Sequence, residues 1–159
     1  MVSMTVKLAF KKDSNSWISR LIKWWTKSKY SHVEVIIPGA DGNFESGFWL
    51  SANHKKGVRM KPLLLPLNKT SWDYIDVYVD KTKYIQAKEK ISEITEYKYA
   101  TKDLFLVQVL GLDKMESRKR LFCSESVCEV LRAFNEPKLQ RIAIPCVDFS
   151  PEDLYRIFI

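Results

Sequence analysis

Alternation of apolar and polar residues with a period of two predicts a series of β-strands. The segment SHVEVII is the strongest of them, because β-branched side chains suit a pleated, half-buried surface. The turn sequences PGADGN and NHKKG separate the middle strands, so these strands are expected to form an antiparallel meander. The predicted strands cover residues 4–10, 31–37, 44–52, 58–61 and 72–79.

Apolar residues at helical spacing predict helices before and after this block of strands. The sequence offers Ser14 or Ser16 as the cap of the first helix, Thr82 as the cap of a polar helix, and Ser150 with Pro151 as the start of the last. Residues 141–147 are expected to form a short strand or an extended segment. The predicted helices cover residues 17–27, 82–97, 101–110, 123–135 and 151 onward. This order predicts one α+β domain over residues 1–159, with an antiparallel sheet packed against helices.

The charge balance is basic, with 26 Lys and Arg against 19 Asp and Glu and a formal net charge of +7. Such a surface favours anionic partners, for example a cell-wall polymer or an anionic lipid surface. The lysines are scattered and no nucleic-acid-binding motif is present, so specific nucleic-acid binding is not expected. Nothing in the composition indicates an oligomeric state.

The N-terminal sequence MVSMTVKLAFKK has neither the apolar core nor the cleavage site of a secretory signal. No apolar run approaches the roughly 18 residues of a transmembrane helix. A cytoplasmic protein without a transmembrane segment is therefore expected.

The chain has three cysteines and two histidines. An odd cysteine count without a secretory signal argues against a disulfide framework. No CxxC spacing occurs, and the only histidines are His32 and His54. Too few residues of the ligand type cluster to build a metal site, so no metal and no cofactor are expected.

Cys123 is the candidate nucleophile, because it lies where a charged loop gives way to an amphipathic helix. Unpaired N–H groups and the positive end of the helix dipole stabilise a thiolate there. The same N–H groups can hold an oxyanion. Cys128 and Cys146 are expected in the core; Cys128, five residues further on, points away from the Cys123 face of the helix.

His32, at the start of the SHVEVII strand, is the candidate base, since a nucleophilic thiol needs one. His54, in the Lys-rich turn, is the weaker choice. A third group that orients the imidazole is expected from the neighbouring strand, which offers Ser51 and, at its end, Asn53. Glu34 shares the face of His32, but two residues along one strand lie about 7 Å apart.

Four segments occur in the order SHVEVII, WLSANHKKGVRMKPL, FCSESVCEVLR and SPEDLYRI. Together they resemble the circularly permuted NlpC-like cysteine peptidases. These proteins have a papain-like fold and include YiiX-type, lecithin:retinol acyltransferase-like and many phage proteins. In the permuted group the histidine strand precedes the cysteine helix, as it does here.

The resemblance implies that Cys123 is the nucleophile, His32 the base and Ser51 the third catalytic residue. Ser51 stands where related proteins often have an acidic residue. Ser124 is expected to supply an oxyanion N–H, with Asn53 and Glu34 as supporting groups. The resemblance implies no cofactor, and a host cytoplasm if a phage encodes the chain.

The leading functional hypothesis is a cysteine-dependent amidase or peptidase that acts through a thioester, on a peptide such as that of peptidoglycan. An acyltransferase or lipid-acyl hydrolase would use the same Cys–His pair, with an apolar entrance. That entrance could be supplied by Trp24, Trp25, Phe48 and Trp49. The third hypothesis is a non-catalytic binding module on a papain-like scaffold.

Overall fold

One antiparallel sheet dominates the structure. The computed structural model describes residues 2–12, 20, 23–24, 28–53, 56–95, 98–99 and 120–159. The strand order is β4-β3-β2-β1-β5. The strands are β1 Ser3–Lys11, β2 Val33–Ile37, β3 Phe48–Asn53, β4 Gly57–Pro62 and β5 Trp72–Asp80. The predicted meander is confirmed, because β2, β3 and β4 pair in chain order.

Four helices with described bounds accompany the sheet, which confirms the α+β class. They are α1 Tyr84–Thr95, α2 Cys123–Ala133, α3 Pro137–Gln140 and α4 Pro151–Phe158. Two short strands, β6 Lys98–Tyr99 and β7 Arg120–Leu121, pair in parallel apart from the main sheet.

Helix α2 covers one face of the sheet. It packs on β2 and β3 and against α1. The alternation of β2 turns Val33, Val35 and Ile37 toward the core that α2 shares, where Val127 and Leu131 are also buried. The opposite, outer face of the sheet receives Glu34 from β2. The strand and helix that carry the candidate residues are therefore fixed by apolar packing.

The structure differs from the sequence predictions at two of the expected strands. In place of one strand over 44–52, Phe44–Ser46 form a 3₁₀ turn before β3. Asn43 stabilises this turn because its side chain accepts a hydrogen bond from the Glu45 N–H at 2.9 Å. Residues 141–147 form no strand. Arg132 Nη2 donates to the carbonyl oxygens of Ile142 and Ile144 at 2.9 and 2.5 Å, so a side chain occupies groups that a sheet would pair.

The starts of two helices test the capping predictions. Ser150 caps α4, since its Oγ accepts the Asp153 N–H at 3.2 Å. Thr82 is not a cap: Asp80 accepts the Thr82 N–H at 2.9 Å and begins a 3₁₀ turn, Lys81–Lys83, that leads into α1.

Some predictions lie outside the described residues. These are most of the first predicted helix, including Trp25, the whole segment 101–110, and His54. None of the helices in the described ranges has the length and apolar content that crossing a bilayer requires.

Candidate active site

Helix α2 begins at Cys123 and holds the thiol against β2. The preceding residue, Phe122, is extended, and its N–H donates to Glu125 Oε2 at 3.2 Å. Glu125 thus binds back to the residue that precedes the helix and fixes its first turn. Cys123 is only 4% exposed. The packing of α2 on β2 therefore sets the position of the sulfur.

The sulfur of Cys123 lies among hydrogen-bond donors. The backbone N–H groups of Val33 and Ser124 donate to it, and the His32 side chain hydrogen-bonds it. Burial raises the pKa of the thiol, but the charge and hydrogen bond of His32, together with these N–H groups, outweigh burial and lower it. A lowered pKa increases the thiolate fraction at neutral pH.

His32 lies directly before β2, beside the Cys123 sulfur. Its carbonyl oxygen accepts the Lys11 N–H at 3.0 Å, which fixes the main chain against the end of β1. Burial lowers the pKa of His32, but the Cys123 thiolate and the Glu34 carboxylate outweigh burial and raise the pKa to about 9. The pair therefore favours thiolate and imidazolium at neutral pH.

Glu34, and not Ser51, is the group beside the imidazole. Glu34 Oε1 lies 3.1 Å from His32 Nε2. This contact leaves Nδ1 as the ring nitrogen available to the thiol. The spacing of about 7 Å along a strand separates the Cα atoms, and the two long side chains on the same face bridge it. Ser51 contacts Glu34 and not His32 in the structure, and its role as the third catalytic residue stays a prediction.

Ser51 and Lys61 hold the Glu34 carboxylate from β3 and β4. Ser51 Oγ donates to Glu34 Oε1. Lys61 Nζ donates to Oε1 at 3.2 Å and to Oε2 at 3.0 Å. Burial raises the pKa of Glu34, but hydrogen bonds from His32 and Ser51 and the charge of Lys61 outweigh burial and lower it. Glu34 therefore stays ionised although its side chain is 4% exposed.

Lys61 is a site residue that the sequence analysis missed. The register of β3 and β4 pairs Ser51 with Arg59 and Trp49 with Lys61, so these four side chains share the outer face. The alternation in GVRMKP was the available signal. Once β3 is paired with β4, this alternation places Lys61 on the same face as Ser51, diagonally across from it.

The remaining predicted residues are Ser124, Asn53 and those of the apolar entrance. Ser124 is buried, and its N–H is at the sulfur, where the oxyanion prediction needs it. Asn53 ends β3, and its side chain lies outside the described residues. Of the proposed apolar entrance, Trp24 is 72% exposed, while Trp49 lies on the outer face near Glu34.

Glu125 is a second acidic residue of the same region, in the first turn of α2. Burial raises its pKa, the Phe122 N–H lowers it, and the charges of Glu129 and Asp148 raise it, to a net value of about 7. This carboxyl is thus partly protonated at neutral pH, in contrast with Glu34.

Cys128 and Cys146 form a disulfide, with Cα atoms 5.5 Å apart. The bond joins α2 to the 3₁₀ turn Cys146–Asp148, which packs against it. Both residues are buried, as predicted, but the expectation of no disulfide is wrong. Spacing along the chain could not indicate that this turn folds back onto α2. Since disulfides are rare in a reducing cytoplasm, the cytoplasmic location stays a prediction.

The arrangement combines the parts that acyl transfer by a cysteine requires. Cys123 can attack, His32 can carry a proton, and Glu34 can orient the imidazole and stabilise its charge. In the described ranges, no group of three or more His, Cys, Asp or Glu is placed to hold a metal ion.

Comparison with known proteins gives no match, either to a protein-family model or to a curated protein. The geometry of the site is therefore the basis for proposing a function.

Proposed function

We propose that the protein is a cysteine-dependent hydrolase that acts on amide or ester bonds through a thioester at Cys123. The observation that carries this proposal is the contact between the Cys123 thiol and the His32 imidazole, whose other nitrogen faces Glu34. A buried cysteine in a purely structural role needs neither a base nor N–H groups directed at its sulfur.

The reaction follows from these positions. The Cys123 thiolate attacks the substrate carbonyl carbon and forms a C–S bond, while the carbonyl oxygen becomes an oxyanion near the Ser124 N–H. The His32 imidazolium then gives its proton to the leaving nitrogen or oxygen as the bond to carbon breaks. Water, deprotonated by His32, attacks the thioester and releases a carboxylic acid and the free Cys123 thiol.

The leading substrate is a peptide, such as that of a bacterial cell wall, as in the permuted NlpC-like proteins that the sequence resembles. Two features support the similarity to the permuted NlpC-like proteins. The histidine strand precedes the cysteine helix, and the helix starts at the proposed nucleophile. An acyltransferase would share every step up to the thioester and would differ only in the acceptor that replaces water.

The test is the pH dependence of Cys123 alkylation by iodoacetamide, followed by mass spectrometry of the intact protein. We expect labelling at Cys123 alone, with a midpoint clearly below the value of about 8.5 for a free cysteine. His32→Ala should move the midpoint upward, because the imidazolium no longer stabilises the thiolate. His54→Ala, the matched control, should leave it unchanged.

An alkylation midpoint that His32→Ala does not move would contradict the proposal and favour the binding-module hypothesis. Where the midpoint does move, release of peptide from purified peptidoglycan tests the substrate. The wild type should release peptide and Cys123→Ala should not.

A further inference from the structure

We propose that a cavity on the outer face of the sheet binds the leaving-group side of the substrate, and that it prefers an aromatic group bearing a negative charge. This inference rests on the proposed function, because it assigns one side of the substrate in that reaction. It is carried by the shape, position and charge of the cavity.

The cavity encloses about 320 Å³, a volume at the small end of ligand-binding pockets. Its aromatic side is formed by Trp49, Trp72 and Tyr74, and the connection between β4 and β5 forms the facing wall. Tyr74 helps to fix this wall, because its hydroxyl donates to the Asn68 carbonyl oxygen at 3.1 Å. The cavity therefore lies between the sheet and a connection that is hydrogen-bonded to it.

The cavity extends across the face of three strands. The register pairs Ala9 of β1 with Glu34 on one side and with Tyr74 on the other, so Glu34 and Tyr74 lie on the same face. Both side chains line the cavity. The cavity therefore lies directly beside the carboxylate that contacts His32.

Two residues connect the cavity to the Cys–His pair. Glu34 lines the cavity and contacts His32 Nε2. The Trp72 ring also lines it, with its centre 6.2 Å from the centre of the His32 ring. In the proposed reaction the leaving group receives its proton from His32, so it lies on the imidazole side of the sulfur. A leaving group that extends across the imidazole reaches Trp72 and the cavity.

The charges around the cavity favour an anion over a cation. Among the described lining residues, Glu34 is the only acid, and His32, Ser51 and Lys61 already bind it. Lys61 Nζ lies 5.4 Å from the Trp49 ring centre, and Lys11 Nζ lies 5.8 Å from that of Trp72. Positive charge thus borders the aromatic surface, and a substrate cation would be repelled there.

The aromatic preference follows from the same surface. The Trp49 and Trp72 rings meet edge to face with centres 5.4 Å apart. A third ring placed against them and Tyr74 gains the edge-to-face or offset contacts that aromatic groups prefer. An aromatic carboxylate therefore matches both the rings and the lysines.

The test uses acetate esters that share the acyl group and differ in the leaving group: para-carboxyphenyl, phenyl, para-trimethylammoniophenyl and ethyl. The rate of Cys123 acetylation is measured by mass spectrometry and divided by the rate of each ester with N-acetylcysteine, which removes differences in intrinsic reactivity. We expect the normalised rate to be highest for the carboxyphenyl ester and lower for the cationic and ethyl esters.

The matched variants are Tyr74→Ala and Tyr78→Ala, two tyrosines on the same strand and the same face of the sheet. Tyr78 is 69% exposed and does not line the cavity. Tyr74→Ala should lower the normalised carboxyphenyl rate by about three- to tenfold, the range expected for one aromatic contact. Tyr78→Ala should not. Tyr74→Phe, which keeps the ring, should retain most of the preference.

A binding measurement separates this inference from the proposed function. Benzoate is titrated into Cys123→Ala and followed by tryptophan fluorescence, with and without Tyr74→Ala. Benzoate binding that Tyr74→Ala weakens, without acetylation by any ester, would support the anion-binding cavity and contradict the hydrolase. Acetylation at equal normalised rates for all esters, with no benzoate binding, would overturn the cavity proposal and leave the hydrolase standing.

Discussion

Two glutamates lie on the elements that carry the Cys–His pair, and the pKa values of their carboxyls are shifted in opposite directions. Glu34 lies on the outer face of the sheet, and its pKa is lowered. Glu125 lies in the first turn of α2, and its pKa is raised to about 7. Burial raises the pKa of both carboxyls, so burial does not explain the difference.

The difference comes from the neighbours that replace water. Glu34 receives hydrogen bonds from His32, Ser51 and Lys61, and two of these donors can carry positive charge. Glu125 has the Phe122 N–H but also two acidic neighbours, Glu129 and Asp148. A buried carboxyl is thus an anion where donors surround it and partly protonated where acids do. Only the first can stabilise an imidazolium.

The largest expected effect is that of Glu34→Gln, which keeps the shape of the side chain but removes its charge. Rates of Cys123 acetylation should fall by about 10²- to 10⁴-fold, because the imidazole loses its orienting anion. Glu125→Gln is the matched control and should reduce the rate little. An equal reduction of the acetylation rate by both substitutions would contradict a specific role of the Glu34 anion in orienting the imidazole.

Glu125→Gln should instead change stability with pH. A folded-state pKa of about 7, against 4.5 in the unfolded chain, stabilises the fold below pH 4.5, and this contribution is lost as pH rises to about 7. The variant should therefore gain about 1–3 kcal/mol over the wild type across that interval. Urea unfolding at a series of pH values measures this gain. A constant difference at all pH values would contradict the raised pKa.

Ser51→Ala tests whether Ser51 acts through Glu34. Loss of one hydrogen bond to a buried carboxylate should cost about 1.5 kcal/mol, or about tenfold in acetylation rate. Ser51→Thr keeps the hydroxyl and should retain most of the rate. A loss larger than that of Glu34→Gln would return Ser51 to the direct role that the sequence suggested.

The smallest effect is expected for Lys61→Met. Because the Lys61 side chain is 34% exposed, solvent screens its charge. The rate of Cys123 acetylation should therefore fall only about fivefold, which corresponds to about 1 kcal/mol. The pKa of Glu34 should rise in Lys61→Met, because the charge of Lys61 lowers it. Lys61→Arg should preserve both the acetylation rate and this pKa. NMR titration of the Glu34 carboxyl measures the pKa, and an unchanged value in Lys61→Met would exclude this role.

The sequence predicted the elements that depend on local pattern. The alternation in SHVEVII and the helical pattern after Cys123 predicted β2 and α2, and their residues Val33, Val35 and Leu131 are buried in the core. The same pattern placed Cys123 at a helix start and His32 at a strand start, and their contact could be expected only from the resemblance.

Features that depend on contacts between side chains, or between segments distant in sequence, could not be predicted. Glu34 reaches His32 because both side chains are long and share one face of the sheet. Lys61 becomes visible only after β3 and β4 are paired. The Cys128–Cys146 bond requires a turn to fold back across α2. In each case the decisive information is a distance between segments, which periodicity does not contain.

The disulfide also determines how Cys123 reacts with oxidants. With Cys128 bonded to Cys146, Cys123 is the one free thiol of the chain. A sulfenic acid formed there would find no second thiol in the same molecule to reduce it to a disulfide. Recovery from peroxide would therefore depend on an external thiol, and without one the oxidation would proceed to irreversible products.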